Sequence, residues 1–391
     1  MQHVSKRVVL HFPGFEPLDA KAHHRRYERS ARQSGQAWNC TYQVGPLGGP
    51  SVTPFFDVRS AGPGWSVETR IHVLDHNDIV TEFSNKPLLK RLRDGFAAAA
   101  RVIGYGGMTG YFRHAWRFGL FFLFPFLLML VGMAVAVGIV SAPLWAGLSV
   151  WHLLWSVPLA VLLFLKAFLP FAERYFTLHL FADWEMAVAM ARLDNAVVSR
   201  RIEECVAAAR KALAEGADEY LITSHSMGAN MAVHVIGSLL EREPELFEGK
   251  RIVFATLGGA VLQCSLLKPA TVLRDRVGRI ARHPSIDWID VQCLTDAIHF
   301  YRSKVVAASG HPDAPQASIL LIRFKNMLTA DHYRRIKRDM LRVHRQYVLG
   351  PDHRAAFDFT LMTAGPLPAA SFASVSQGAL PEIADDGALA A

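Results

Sequence analysis

Apolar and polar residues alternate along this chain in two distinct rhythms, and one long stretch keeps neither. Short runs of β-branched and large apolar residues recur at VVLHF (8 to 12), Tyr220 to Thr223, RIVFATL (251 to 257), WIDVQCL (288 to 294) and SILLIRF (318 to 324). Helix-length polar segments separate them, the pattern of buried parallel strands joined by crossover helices. Between the first two lie three further β-rich segments, Trp38 to Val44, Val52 to Val58 and Val67 to Leu74, divided by Gly and Pro. They are expected to be neighbouring strands. Helices are expected from about Asp19 to Gln33, from Leu88 to Ile103, over a long amphipathic stretch from about Phe181 to Glu215, and from Met227 to Glu241. The fold class is therefore α/β, with a mostly parallel sheet flanked by helices. GYGGMTGY (104 to 111) lacks the strand-to-helix context of a phosphate loop and is expected to be a flexible segment.

The stretch without rhythm runs from 118 to 165, 48 residues with no Asp, Glu, Lys or Arg. About 20 apolar residues cross a bilayer core, so it suffices for two spans. They are expected at about 118–140 and 151–171, with a turn near Ser141, Pro143 and Gly147, and with Pro158 interrupting the second. Lys90, Arg91, Arg93, Arg101, Arg113 and Arg117 precede the first span and Lys166 and Arg174 lie at the end of the second. By the positive-inside rule both ends of this hairpin face the cytoplasm, placing the rest of the chain at an inner membrane. The start, MQHVSKRVVLHF, is too short and too charged for a secretory leader. Residues 1–117 and 172–365 are then two parts of one globular domain, with an Ala-, Ser- and Gly-rich tail from 366 to 391 expected to be disordered.

Composition adds less. The net charge of +8 accompanies no zinc-knuckle spacing, RRM signature or aromatic-interleaved basic strand, so nucleic acid is not an expected partner. Two basic stretches, 21 to 32 and 332 to 345, read as solvated helix faces, with anionic lipid headgroups as the alternative contact. Cys40, Cys205, Cys264 and Cys293 show no CxxC or metal spacing, and neither metal nor cofactor is expected.

The candidate chemistry lies in LITSHSMGAN (221 to 230). A strand, a sharp turn and a helix would lift Ser226 out of the sheet and set the next N–H at a helix start, which requires small residues two positions to either side. Ser224 and Gly228 stand there. The alternative is that Ser226 merely caps the helix. Downstream acids are Asp290 and Asp296, the latter favoured because it follows the strand; downstream histidines are His299, His311, His332, His344 and His353.

SHSMGA resembles the nucleophile elbow of α/β-hydrolases of the lipase and esterase type, with Ser224 in place of the usual first Gly. TDAIHF resembles the acid loop of class 3 lipases, with His299 where Pro would stand. HRQY resembles the histidine region of bacterial membrane-associated lipase-like hydrolases. The resemblance implies a Ser226, His344 and Asp296 triad cleaving a small-molecule or lipid ester through an acyl-enzyme. It implies an oxyanion hole from the main-chain N–H groups of Met227 and of Phe15 in HFPGF, where Gly14 permits close approach. The competing expectation is a hydrolase fold without catalysis that binds a lipid or protein partner.

Overall fold

The computed structural model describes residues 3–50, 53–375 and 379–390. Val52 of the predicted second β-rich segment and residues 376–378 and 391 of the predicted tail lie outside these. Eight strands form one sheet: β1 (Lys6–Phe12), β2 (Thr41–Val44), β3 (Phe55–Gly62), β4 (Trp65–Val73), β5 (Glu219–His225), β6 (Ile252–Leu257), β7 (Ile286–Cys293) and β8 (Ser318–Ile322). Their order is β2-β3-β4-β1-β5-β6-β7-β8. β2, β3 and β4 pair antiparallel and every other pairing is parallel. The fold class is thus α/β with a mostly parallel sheet, as the spacing of apolar runs predicts.

Burial explains which strands lie where. Every residue of β5 is buried, as a central parallel strand covered on both faces requires. β3 alternates buried and exposed positions, as an antiparallel strand near a sheet edge can. Alternate residues of one strand serve opposite faces: Val8, Leu10 and Phe12 of β1 join one apolar cluster and Val9 the other. The first cluster packs under the helices Thr177–Arg192, Ala196–Leu213, Gly228–Arg242 and Thr271–Arg282. The second packs under Ala20–Trp38 and the C-terminal segments around Tyr347 and Phe359. β1 pairs with both β4 and β5, so the parts before and after the apolar stretch share one sheet.

Two helices, Trp116–Trp145 and Val150–Glu173, are long and apolar enough to cross a membrane by length and composition. The first is longer than expected: it continues through Ser141 and Pro143, and the turn falls at Gly147, whose φ of +73° suits a residue without Cβ. Ser141 Oγ donates back to the Val137 carbonyl at 2.9 Å, and Pro143 falls in the last turn, where little ladder remains to break. Pro158 lies inside the second helix and does not end it. At its root the first helix is bound into the body by Phe118, Phe121 and Phe122 around Trp184, while Leu130, Val131, Val135 and Val137 further along are exposed.

Three expectations are corrected. GYGGMTGY is a helix break followed by the helix Gly107–His114. Gly107 abuts Leu267 too closely for a side chain, and Tyr111 is buried with its hydroxyl donating to the Gln263 carbonyl. The stretch from Phe181 is two helices, and Thr177–Arg192 is apolar nearly all round because neighbours cover both its faces. The tail is packed rather than free: Leu367, Ala369, Phe372 and Ile383 are buried. The reason is a fully buried ion pair, Arg7 with Glu219 at 2.7 Å, whose remaining hydrogen bonds go to the Gly365 and Leu367 carbonyls and the Ala369 N–H. Buried charges need such partners, and the tail provides them.

Candidate functional site

Ser226 follows the last residue of β5, and the helix Gly228–Arg242 starts two residues later. Its φ is +52°, a left-handed conformation that costs a non-glycine residue on the order of 1 kcal/mol or more and that surrounding structure must impose. The imposing contacts are visible. A Cβ on Gly228 would lie 2.3 Å from the Pro13 carbonyl oxygen and 2.4 Å from that of Phe12, so only glycine lets the elbow close against the end of β1. A Cβ on Gly14 would lie 2.9 Å from His225 Nδ1 and 3.2 Å from Ser226 Cβ. Both glycines are thus demanded by close approach, and Ser226 is no ordinary helix cap. Ser224 is fully buried with its hydroxyl unbonded, the cost of the departure from Gly.

Asp296 and His344 come together from residues 48 apart. Asp296 follows β7 in a loop, and its Oδ2 lies 2.7 Å from Nδ1 of His344. Burial alone would raise the Asp296 carboxyl, but His344 and His299 outweigh it and hold it at about 2. His344 therefore carries its proton on Nδ1, leaving Nε2 as the acceptor; that atom is buried and unbonded. Asp290 sits elsewhere, inside β7, accepting from Thr256 Oγ1 at 2.7 Å and Gln292 Nε2 at 2.6 Å. With no cation beside it, burial pushes its carboxyl up to about 6.

The other histidines separate from this arrangement. His299 Nδ1 lies 3.3 Å from the same Asp296 oxygen, but neither of its ring nitrogens makes an aligned hydrogen bond. His311 bonds to the Arg274 carbonyl, His332 to Asp352, and His353 is exposed.

Ser226 and His344 line one cavity of about 40 Å³ with Gly14, Phe15, Glu16, Phe121, His179, Leu180, Asp183, His225, Ile298, Leu341 and Arg345. Larger clefts of about 320 and 600 Å³ lie over the β3–β4 strands and beside Asp75. Neither contains Ser226 or His344, so size is a poor guide here and the chemistry decides. Among the described residues the main-chain N–H groups of Phe15 and Met227 donate to no protein acceptor. Two free donors thus belong to the residue after the serine, at a helix start where such groups are unsatisfied by construction, and to a residue lining the same cavity.

Several cavity residues gave no sign in the sequence. His225 donates Nε2–H to the His344 carbonyl at 2.9 Å, and His179 donates to the Phe15 carbonyl at 3.1 Å. Burial keeps His225 neutral, with its pKa lowered to about 3. Glu16 is bound by Arg26 and Arg345 and held at about 2 chiefly by Arg26 against its burial. Asp183 accepts from Gln263 Nε2 at 2.9 Å, and burial pushes its carboxyl up to about 6. No group of His, Cys, Asp and Glu able to hold a metal occurs among the described residues.

No protein-family model, curated protein or solved structure matches this chain. The functional reading therefore rests on the site's own geometry.

Proposed function

We propose that the protein is a membrane-anchored serine hydrolase of α/β-hydrolase type that cleaves an acyl ester. One observation carries the reading: a serine at φ +52° on a strand-to-helix turn shares a cavity with a histidine whose other nitrogen is bonded to a buried carboxylate. A hydroxyl becomes a useful nucleophile when a base takes its proton, and the base must be held in one tautomer. In this reading Ser226 Oγ attacks the ester carbonyl while its proton passes to His344 Nε2. The N–H groups of Phe15 and Met227 receive the oxyanion. The tetrahedral intermediate collapses, the alcohol leaves with the proton from His344, and water repeats the sequence to release the acid.

The apolar helices supply the anchor. β1 before them and β5 after them hydrogen-bond to each other, so both ends of the hairpin must lie on one side of any bilayer. The basic residues at those ends favour the cytoplasm as that side. The side is tested with a membrane-impermeant thiol reagent on intact cells. Cys40 is half-buried with its thiol pushed up to about 11, so Lys21→Cys and Leu380→Cys, both at exposed sites, are better reporters. Both should stay protected; reaction of either defeats the topology.

The second reading, a non-catalytic member of the same fold that binds lipid, is favoured by the unbonded Nε2 of His344, since no Ser226–His344 hydrogen bond is formed in this conformation. Such bonds often tighten only when substrate binds. A fluorophosphonate probe separates the two. Covalent labelling lost in Ser226→Ala supports catalysis, whereas a folded wild-type protein that never labels supports the binding role.

A further inference from the structure

The cavity's polar groups are almost all committed to one another. Glu16 is taken by two arginines, His179 and His225 each donate to a carbonyl, and His344 is held by Asp296. Asp183 differs. Its Oδ2 accepts from Gln263 Nε2, while its Oδ1 makes no hydrogen bond and no cation pairs with it among the described residues. It comes from the helix Thr177–Arg192, on which the flanking Ala182 and Trp184 are buried, yet it keeps some accessible surface of its own. It lines the cavity together with Ser226 and His344. Around it stand Phe121, Leu180, Ile298 and Leu341, which offer a ligand only apolar contact.

A carboxyl left open in such surroundings costs stability unless something compensates it. From this arrangement we infer that Asp183 is a specificity-determining residue that accepts a hydrogen bond from a hydroxyl on the alcohol part of the substrate, close to the ester attacked by Ser226. The inference rests on the hydrolase reading above. Asp183 and Ser226 line the same small cavity, so a group bonded to Asp183 lies in the space that the serine faces. Geometry and charge select among possible donors. A phosphate or free carboxylate at this position would meet a carboxylate with no cation between them. An ammonium would be buried as a full ion pair, whose desolvation is expensive. A neutral hydroxyl meets neither obstacle. The substrate class is therefore an ester of a polyol with a free hydroxyl beside the acylated one.

The test compares three esters of one acyl chain with the full-length protein in detergent: the 1-monoacylglycerol, the ethyl ester, and the lysophosphatidic acid bearing a phosphate in place of the terminal hydroxyl. Wild type should prefer the monoacylglycerol to both others in kcat/KM. A hydrogen bond to a charged group supports about a ten- to hundredfold preference over the ethyl ester. Asp183→Leu should collapse that ratio toward one. Asp183→Asn, which keeps an acceptor but not the charge, should reduce it part-way and serves if the leucine variant does not fold. A fall of both esters in step means a merely structural role and overturns the inference, as does an unchanged ratio or a wild type that prefers the phosphate ester. Fluorophosphonate labelling of Ser226 in the same preparations reports on the hydrolase reading separately. Without it that reading fails, and this one with it.

Discussion

The two ends of the seven-residue strands β1 and β5 are built on opposite terms. At the amino end Arg7 and Glu219 are buried charges with every partner supplied, by each other and by the main chain of residues 365 to 369. At the carboxyl end the same strands lead to a serine in a strained conformation, a serine hydroxyl without a partner, and a histidine nitrogen without one. One end stabilises and the other is left unsatisfied. Natural folds concentrate strain and open polar groups where ligands complete them. In open α/β sheets that place is the carboxyl ends of the strands. The contrast locates the site independently of any motif.

Breaking the unsatisfied end should destroy chemistry and spare the fold. His344→Ala should lower turnover by up to about 10⁶-fold, as when a base acts as a unit with its nucleophile, while the thermal midpoint moves little. Asp296→Asn should cost about 10⁴-fold, because the amide favours the wrong tautomer. Asp290→Asn, three strand positions before Cys293 and outside the cavity, should stay within a few-fold of wild type; steady-state kinetics on one ester decide both. Asp296 also sets a pH signature. Its folded pKa of about 2 lies below the ordinary 3.8, so the stability it contributes is present above about pH 4 and is lost as pH falls through 2. Acid unfolding of Asp296→Asn should show a shallower loss over that window.

The satisfied end should answer in the opposite way. Arg7→Met leaves Glu219 buried without its cation and should destabilise by about 3–5 kcal/mol in denaturant melts. Fluorophosphonate labelling per folded molecule should persist. A large loss of labelling in the folded fraction would mean that the two ends are coupled. The smallest expected effect returns to the carboxyl end: Ser224→Ala removes a buried hydroxyl with no partner and should stabilise by about 1 kcal/mol.

What the sequence disclosed was whatever depends on short spans of chain. Five of the six mutually parallel strands appear as apolar runs, and the strand-to-helix turn appears because Ser226 and Gly228 are two residues apart. Its position after a strand favours Asp296 over Asp290 in the sequence, and it is Asp296 that meets His344. The illegible parts depend on long-range placement. The tail, although rich in Ala, Ser and Gly, is ordered by Arg7, some 360 residues away, and no local composition reports that. Asp183 and His225 acquire meaning only beside Gln263 and His344. In the Gly-rich segment 104 to 111 only Gly106, at φ +82°, marks a break, while Gly107 and Gly110 pack closely against Leu267 and Leu266, which composition does not report.

Phe121 lines the cavity and also belongs to the first apolar helix, where Pro125 stands one turn further on. A proline has no N–H, so the carbonyl of Phe121 loses its ladder partner, and helices bend most readily at such a gap. Beyond it the helix runs 20 more residues to Trp145, a lever of about 30 Å. If that lever is in a bilayer, mismatch with the membrane thickness adds to its tilt, and the fulcrum lies at a residue lining the cavity of Ser226. The rate on even a water-soluble ester would then depend on the acyl-chain length of the host lipids.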